Sequence, residues 1–118
     1  MMRINVLSIA PGPNGQVFLT EVKDLTKKVP GRPGERRYDH RAIPEGIGQL
    51  EQYSDFMIAR NAMMRQRIVK RLVLLRIDKR RIRQLQVQLA TCRRLGIKVV
   101  AAAAAHPSLP SDLKWSDP

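Results

Sequence analysis

The feature that most restricts the fold of this chain is a stretch of 47 residues, numbers 49–95, that contains neither proline nor glycine. The stretch is rich in Leu, Met, Ala, Arg, Gln, Lys and Ile, most of which are strong helix formers. Gly96 follows it and can supply a left-handed helix C-cap. Arg93 and Arg94 precede that cap, where the helix dipole favours cations. The pattern predicts one long α-helix over residues 49–96, and a break in it near Arg60 and Asn61 or near Asp78 stays open.

The same region carries the net charge of the chain. The sequence has 22 Lys and Arg against 10 Asp and Glu, a formal net charge of +12. Residues 56–98 hold thirteen of these bases and one acid, Asp78, so this window alone accounts for the net charge. On a helix, like-charged pairs such as Arg76 and Arg80, or Lys79 and Arg83, repel each other. A polyanionic partner that neutralises them is therefore expected.

Arginine outnumbers lysine ten to three in this window. Its planar guanidinium binds phosphate with two parallel hydrogen bonds and stacks on bases, so we expect contact with nucleic acid. The sequence has no helix-turn-helix, zinc-finger or zipper pattern, and it has no aromatic RNP-type strand either. RNA is favoured because a small core, a long basic helix, an extension rich in Pro, Gly and Arg and an anchored tail suit a protein that fills crevices in folded RNA. The predicted RNA-binding residues are Arg36, Arg37, Arg41, Arg65, Arg67, Lys70, Arg71, Arg76, Lys79, Arg80, Arg81, Arg83, Arg93 and Arg94.

The segments on either side of the basic region differ from it. Residues 3–9 and 16–23 alternate loosely around a turn rich in Pro, Gly and Asn, which predicts a β-hairpin within residues 1–29. Residues 30–48 contain three prolines and four glycines, which favours an extended segment ordered by a partner. Residues 97–118 read as an alanine-rich stretch and an extended tail anchored by Trp115.

No group of residues in the sequence predicts catalysis. One cysteine, Cys92, cannot form an internal disulfide or a cysteine-rich zinc site, and a packed core thiol is expected. His40 and His106 are 66 residues apart and have no ligand set around them. The glycines match neither a P-loop nor a dinucleotide motif. We therefore expect no catalytic residues, no metal, no cofactor, no small-molecule substrate and no enzyme activity.

The expected location is an intracellular, reducing compartment, the mitochondrial matrix or the cytoplasm. One free cysteine suits such a compartment. No run approaches the roughly 20 apolar residues that a membrane-spanning helix needs. The first residues lack the apolar core and cleavage site of a secretory signal.

Together these patterns predict a mainly α protein: one long basic amphipathic helix with a short N-terminal β-hairpin and extended loop and tail segments. The predicted function is that of a non-catalytic, RNA-binding structural subunit of a large ribonucleoprotein, a ribosomal and in particular a mitochondrial ribosomal protein. The basic helix would contact rRNA phosphates, while its apolar stripe, the hairpin and Trp115 would contact neighbouring subunits. Two alternatives stay open. One is an accessory subunit of a membrane-associated complex with an interfacial basic helix, and the other is a DNA-binding or DNA-packaging protein.

Overall fold

The computed structural model describes residues 6–77 and 79–101, which form a four-stranded mixed sheet with two helices and a small second sheet. The strands are β1 (Val6–Pro11), β2 (Val17–Asp24), β3 (Thr26–Lys28), β4 (Arg36–Tyr38), β5 (Ile68–Leu75) and β6 (Ile97–Ala101). The helices are α1 (Ala42–Arg60) and α2 (Ile82–Arg94), with short 3-10 turns at Pro13–Gly15, Ala62–Gln66 and Lys79–Arg81.

The main sheet has the strand order β1-β2-β5-β6. The first pair is antiparallel, and both later pairs are parallel. Parallel neighbours need a crossover connection, which α1 supplies between β2 and β5 and α2 supplies between β5 and β6. The small sheet pairs β3 with β4 between the end of β2 and the start of α1.

Both helices pack against the same face of the main sheet. Leu19 of β2 and Leu72 of β5 belong to one buried cluster together with Leu50 of α1 and Leu85 of α2. Cys92 of α2 is also buried there, which confirms the predicted core thiol. Burial raises the pKa of this thiol to about 11. Each large apolar side chain in such a cluster contributes about 1.5–3 kcal/mol by leaving water.

The predicted mainly α fold with one long helix is wrong; the protein is mixed α/β. Residues 49–96 contain most of α1, two 3-10 turns, the whole of β5 and the whole of α2. Ile68–Leu75 has strand length, is apolar apart from Lys70 and Arg71, and lies between two other strands. The helix propensities of Leu, Arg and Lys are weak preferences that such tertiary contacts override. Arg76 follows β5 with a φ of 58°, so the backbone turns out of the strand there.

The flanking segments differ from expectation in detail. The predicted hairpin is present as β1 and β2, paired from Val6 with Val22 to Pro11 with Val17. Helix α1 begins at Ala42 rather than near residue 49. Pro44 lies in its first turn, where backbone N–H groups form no hydrogen bond within the helix, so the missing N–H of proline costs nothing there. The tail at 102–118, including His106 and Trp115, lies outside the described residues. No helix in the described ranges is long and apolar enough to cross a membrane.

Candidate functional site

Two ionisable side chains of β2, Glu21 and Lys23, lie on the face of the sheet that the helices cover. They are two residues apart, so they point the same way, as does Leu19 of the core. Glu21 is fully buried and the side chain of Lys23 is 5% exposed. Glu21 pairs in register with Leu7 of β1 and with Leu72 of β5, both apolar. Charged groups are expensive to bury in such surroundings unless they are paired, which makes this pair a candidate functional site.

The carboxylate of Glu21 has no hydrogen-bond partner at either oxygen. Its Oε1 lies 3.8 Å from the Lys23 Nζ, which is an ion pair without a hydrogen bond. Burial raises the pKa of Glu21, and the opposing attraction of Lys23 is smaller. Because nearly all buried polar groups in native proteins have partners, this carboxylate is an exception that a bound ligand would explain.

Helix α1 brings a second carboxylate to Lys23. The Lys23 Nζ lies 3.7 Å from Oε2 of Glu45, whose side chain is 35% exposed. Gly46, the next residue, allows this close approach of the helix to the sheet. A Cβ at that position would lie 2.6 Å from Cδ1 of Leu72 and 3.1 Å from Cγ of Lys23. The missing side chain at Gly46 therefore sets the distance between Glu45 and β2.

A cavity of about 440 Å³ opens beside Glu21. The cavity is lined by residues of β1, β2 and α1, namely Leu7, Glu21, Gln49, Gln52, Tyr53 and Phe56. The side-chain oxygen of Gln49 is buried and has no hydrogen-bond partner either. Glu21 and Gln49, which both have buried side-chain oxygens without a hydrogen-bond partner, thus line one cavity. Oxygen acceptors without donors suit a cation or a hydrogen-bond donor as ligand.

A larger basic groove, about 920 Å³, lies along the β3–β4 hairpin and also includes Lys23 and Glu45 in its lining. Asp24 Oδ2 accepts hydrogen bonds from Arg36 at 3.1 Å and from Arg76 at 2.9 Å, which holds both guanidinium groups at the groove. The basic side chains that line this groove are Lys23, Lys27, Lys28, Arg36, Arg37 and Arg76. Lys23 therefore lines the groove, and its Nζ lies 3.8 Å from Oε1 of Glu21, which lines the cavity.

Some of the predicted RNA-binding residues are held by internal contacts. Lys70 Nζ donates to Glu51 Oε1 at 2.6 Å and to the carbonyl oxygen of Leu95 at 2.8 Å. Arg36 and Arg76 both donate hydrogen bonds to Asp24. The Nε of Arg71 donates a hydrogen bond to Thr20 Oγ1 at 3.0 Å. The guanidinium of Arg81 lies 4.8 Å from the centre of the Tyr38 ring. Part of the excess of basic residues is therefore explained by contacts that these side chains make within the fold.

Nine of the predicted residues are exposed, and they lie on several elements. Arg65 and Arg67 lie in and after the 3-10 turn that follows α1, and Arg83 and Arg94 lie on α2. The structure brings Arg36, Arg37 and Arg76 together at the basic groove. The exposed members are Arg37, Arg41, Arg65, Arg67, Arg76, Arg80, Arg83, Arg93 and Arg94. The side chain of Lys79 is outside what the structure describes.

Sequence reasoning singled out none of Glu21, Lys23, Glu45 and Gln49. Glu45 lies in the first turn of α1, where the helix dipole favours an acidic residue. The available signal was the pair of ionisable residues, two apart, on the same side of the strand as Leu19. A strand with charged residues on its core-facing side violates the usual pattern, and such violations concentrate at functional sites.

Two carboxylates, those of Glu21 and Glu45, lie within 4 Å of the Lys23 Nζ. Among residues 6–77 and 79–101 no group of three or more His, Cys, Asp and Glu side chains is placed to hold a metal ion. A cation bound by Glu21 and Glu45 would therefore need water or ligand oxygens as well. In comparisons with known proteins, no family model, no curated protein and no solved structure matches this chain.

Proposed function

We propose that this protein binds nucleic acid and hydrolyses its phosphodiester bonds with a divalent cation held at Glu21. The observation that supports this most strongly is the buried Glu21 carboxylate, which has no hydrogen-bond partner at either oxygen and lies 3.8 Å from the Lys23 Nζ. A chain of net charge +12 attracts polyphosphates, and this pair lies where the basic groove adjoins the cavity.

The residues around the cavity suit a hard cation such as Mg²⁺. Such ions take oxygen ligands and are commonly held by one or two carboxylates, with water and substrate phosphate completing the shell. Glu45 and Gln49 are one helical turn apart on α1, so they lie on the same side of the helix, facing Glu21 and Lys23. A cation at this position would satisfy the unpaired oxygens of Glu21 and Gln49. When bound, it would lower the pKa of a coordinated water and neutralise phosphate charge.

Lys23 supplies a second positive charge at the same point. A lysine ammonium is a compact charge that can contact a phosphate oxygen and stabilise the extra negative charge of the transition state. Its Nζ lies between the carboxylates of Glu21 and Glu45, at 3.8 and 3.7 Å. In the reaction, water adds to phosphorus, the bond to the leaving sugar oxygen breaks, and that oxygen takes a proton. The products are one phosphate monoester end and one hydroxyl end.

The test is a cleavage assay with labelled DNA and RNA in Mg²⁺, in Mn²⁺ and in EDTA. We expect cleavage only with a divalent cation, and a loss of at least about 100-fold in Glu21→Gln and in Lys23→Met, as is usual for removal of a charge that stabilises the transition state. Glu35→Gln is the matched control, because Glu35 is an exposed carboxylate whose partner is Arg32 in the same loop. Unchanged cleavage by Glu21→Gln, or binding of nucleic acid without cleavage of any, would contradict the proposal.

A second candidate is the non-catalytic RNA-binding subunit of a ribonucleoprotein that the sequence predicts. The exposed arginines of α2, Arg83 and Arg94, and those after α1, Arg65 and Arg67, favour it because they extend the cationic surface beyond the groove. Under this hypothesis, Arg83→Gln with Arg94→Gln lowers co-sedimentation with the native particle, while Glu21→Gln leaves it unchanged. The membrane-surface alternative loses the long amphipathic helix on which it depended.

A further inference from the structure

Resting on the proposed function, we infer that the substrate of this site is single-stranded nucleic acid. One unpaired base stacks on Tyr53 and Phe56 in the cavity beside Glu21, and the phosphate backbone follows the basic groove past Lys23.

The aromatic pair is placed for ligand contact and not for the core. Tyr53 and Phe56 are 42% and 54% exposed on the outer side of α1, whereas the helix packs on the sheet through residues such as Ile43 and Leu50. The two rings lie edge to face, with centres 6.4 Å apart, and both line the cavity. The chain is only 4% aromatic, so two exposed aromatics at one cavity form a distinct surface.

The chemistry of this surface fits a nucleobase. Proteins that hold single strands stack successive bases on aromatic rings and add nearby arginines. The guanidinium of Arg60 lies 4.7 Å from the centre of the Phe56 ring and supplies such a cation. The cavity of about 440 Å³ is within the usual size of sites for small organic groups, about 300–1,000 Å³. The amide groups of Gln49 and Gln52 line it and can bond with base edges.

The groove provides the phosphate side of the same ligand. Lys27, Lys28 and Arg37 line it and are exposed, and Asp24 fixes the orientation of Arg36 and Arg76. Lys23 belongs to the groove and is 3.8 Å from Glu21, which lines the aromatic cavity. A backbone in the groove therefore passes beside the cavity that would take its base. A base inside a duplex is paired and stacked and must first be flipped out, so an unpaired strand binds more readily.

The experiment measures binding alone, by fluorescence anisotropy in EDTA, with single-stranded DNA, single-stranded RNA and a duplex of the same length. We expect wild-type protein to bind the single strands at least about 10-fold more tightly than the duplex. The double variant Tyr53→Leu with Phe56→Leu should lose about 5- to 150-fold for single strands, the range for one base–aromatic contact. Leucine keeps the helix propensity of α1. The matched control is Val87→Leu, because Val87 is an exposed apolar residue of α2. This variant should bind as the wild-type protein does.

An oligonucleotide with one central stretch of abasic sugars separates stacking from charge. Wild-type protein should lose the same factor on this ligand as the aromatic double variant loses on the normal strand, and the variant should lose nothing more. Equal binding of duplex and single strand, or unchanged binding by the variant, would overturn the inference and leave the aromatic pair as a docking surface for protein. The binding assay contains EDTA and no divalent cation, so it does not depend on cleavage. Tight binding of single strands here, with no cleavage in the separate assay with Mg²⁺ or Mn²⁺, would contradict the proposed hydrolysis and leave this inference standing.

The groove is tested by its salt dependence. Each phosphate contact that a variant removes should lower the slope of log affinity against log salt by about 1. We expect Lys27→Gln, Lys28→Gln and Arg37→Gln together to reduce the slope for single strands, whereas Tyr53→Leu with Phe56→Leu leaves it unchanged. If the lysine and arginine variant keeps the wild-type slope, the backbone does not follow the groove.

Discussion

Among single residues, Glu21 stands out because its charged side chain is buried, where ionisation lowers the stability of the fold. Its carboxylate is fully buried, lacks hydrogen bonds and is 3.8 Å from its nearest cation. An unpaired buried polar group costs about 1–3 kcal/mol in proteins. Functional sites are the usual place for such local costs, because the ligand supplies the missing partner.

This cost predicts that Glu21→Gln stabilises the protein even as it removes the proposed activity. The raised pKa of Glu21 shows that its surroundings disfavour the charged form. We expect a gain in the free energy of unfolding at pH 7, measured by urea denaturation. The gain is limited to the cost of the charge, because the glutamine amide is also buried and Lys23 loses one of its two carboxylate neighbours. The Glu35→Gln control should change stability by less than about 0.5 kcal/mol, as surface substitutions usually do.

The pH dependence of this gain follows from the direction of the pKa shift. A carboxyl with a folded pKa above its unfolded value destabilises the folded state once it ionises, and it contributes no such penalty below the unfolded pKa. The advantage of Glu21→Gln should therefore shrink as the pH falls toward the unfolded pKa of about 4.3. A constant advantage at every pH, or a variant less stable than wild type at pH 7, would show that Glu21 is not held in a charge-disfavouring site.

At the scale of elements, the fit of α1 onto the sheet places the site. Gly46 is buried on the side of α1 that faces the sheet and has no room for a Cβ, because Leu72 and Lys23 lie against it. Two residues later, Gly48 is exposed on the same helix, and a Cβ there would meet nothing within 4 Å. The two glycines thus have different roles although both lie in one helix.

The pair gives a matched prediction. Gly46→Ala should destabilise the protein by about 1–3 kcal/mol, because the added methyl group overpacks the helix–sheet contact and displaces Lys23. Gly48→Ala should stabilise it by about 0.5–1 kcal/mol, because glycine is a poor helix former at an open position. Urea denaturation of both variants measures the difference. Opposite signs are the expected result, and equal effects would contradict the contact at Gly46.

At this scale the sequence was informative for one element and misleading for another. The hairpin follows from turn residues between two alternating segments, which is a local signal. Strand β5 does not, because its residues Lys70, Arg71, Leu72, Leu74 and Leu75 also favour helices. Its conformation depends on β2 and β6, which pair with it on both sides and lie far away in sequence.

At the scale of the whole molecule, binding of a cation would link the site to global stability. A ligand that binds only the folded state adds RT ln(1 + [L]/Kd) to its stability, about 2.7 kcal/mol at 100 times Kd. We expect Mn²⁺ or Mg²⁺ to raise the melting temperature of wild-type protein by several degrees, since about 1 kcal/mol shifts Tm by roughly 4–8 °C in a domain of about 100 residues. Differential scanning fluorimetry measures this shift.

The matched controls separate the site from general salt effects. Sodium chloride at equal ionic strength should give a smaller shift, and Glu21→Gln should lose the divalent effect while Glu35→Gln keeps it. A divalent shift of equal size in Glu21→Gln would place the cation elsewhere on the molecule.

The total charge, the single buried thiol and the N-terminal hairpin follow from composition or from neighbours along the chain. The strand conformation of β5, and the meeting of Lys23 with Glu45, depend on contacts between residues that are far apart in the sequence. The physical reason is one of magnitude and distance. Helix propensities differ by less than about 1 kcal/mol per residue, whereas burial between two strands stabilises each large side chain by about 1.5–3 kcal/mol. That larger contribution comes from residues distant in sequence, so no local pattern contains it.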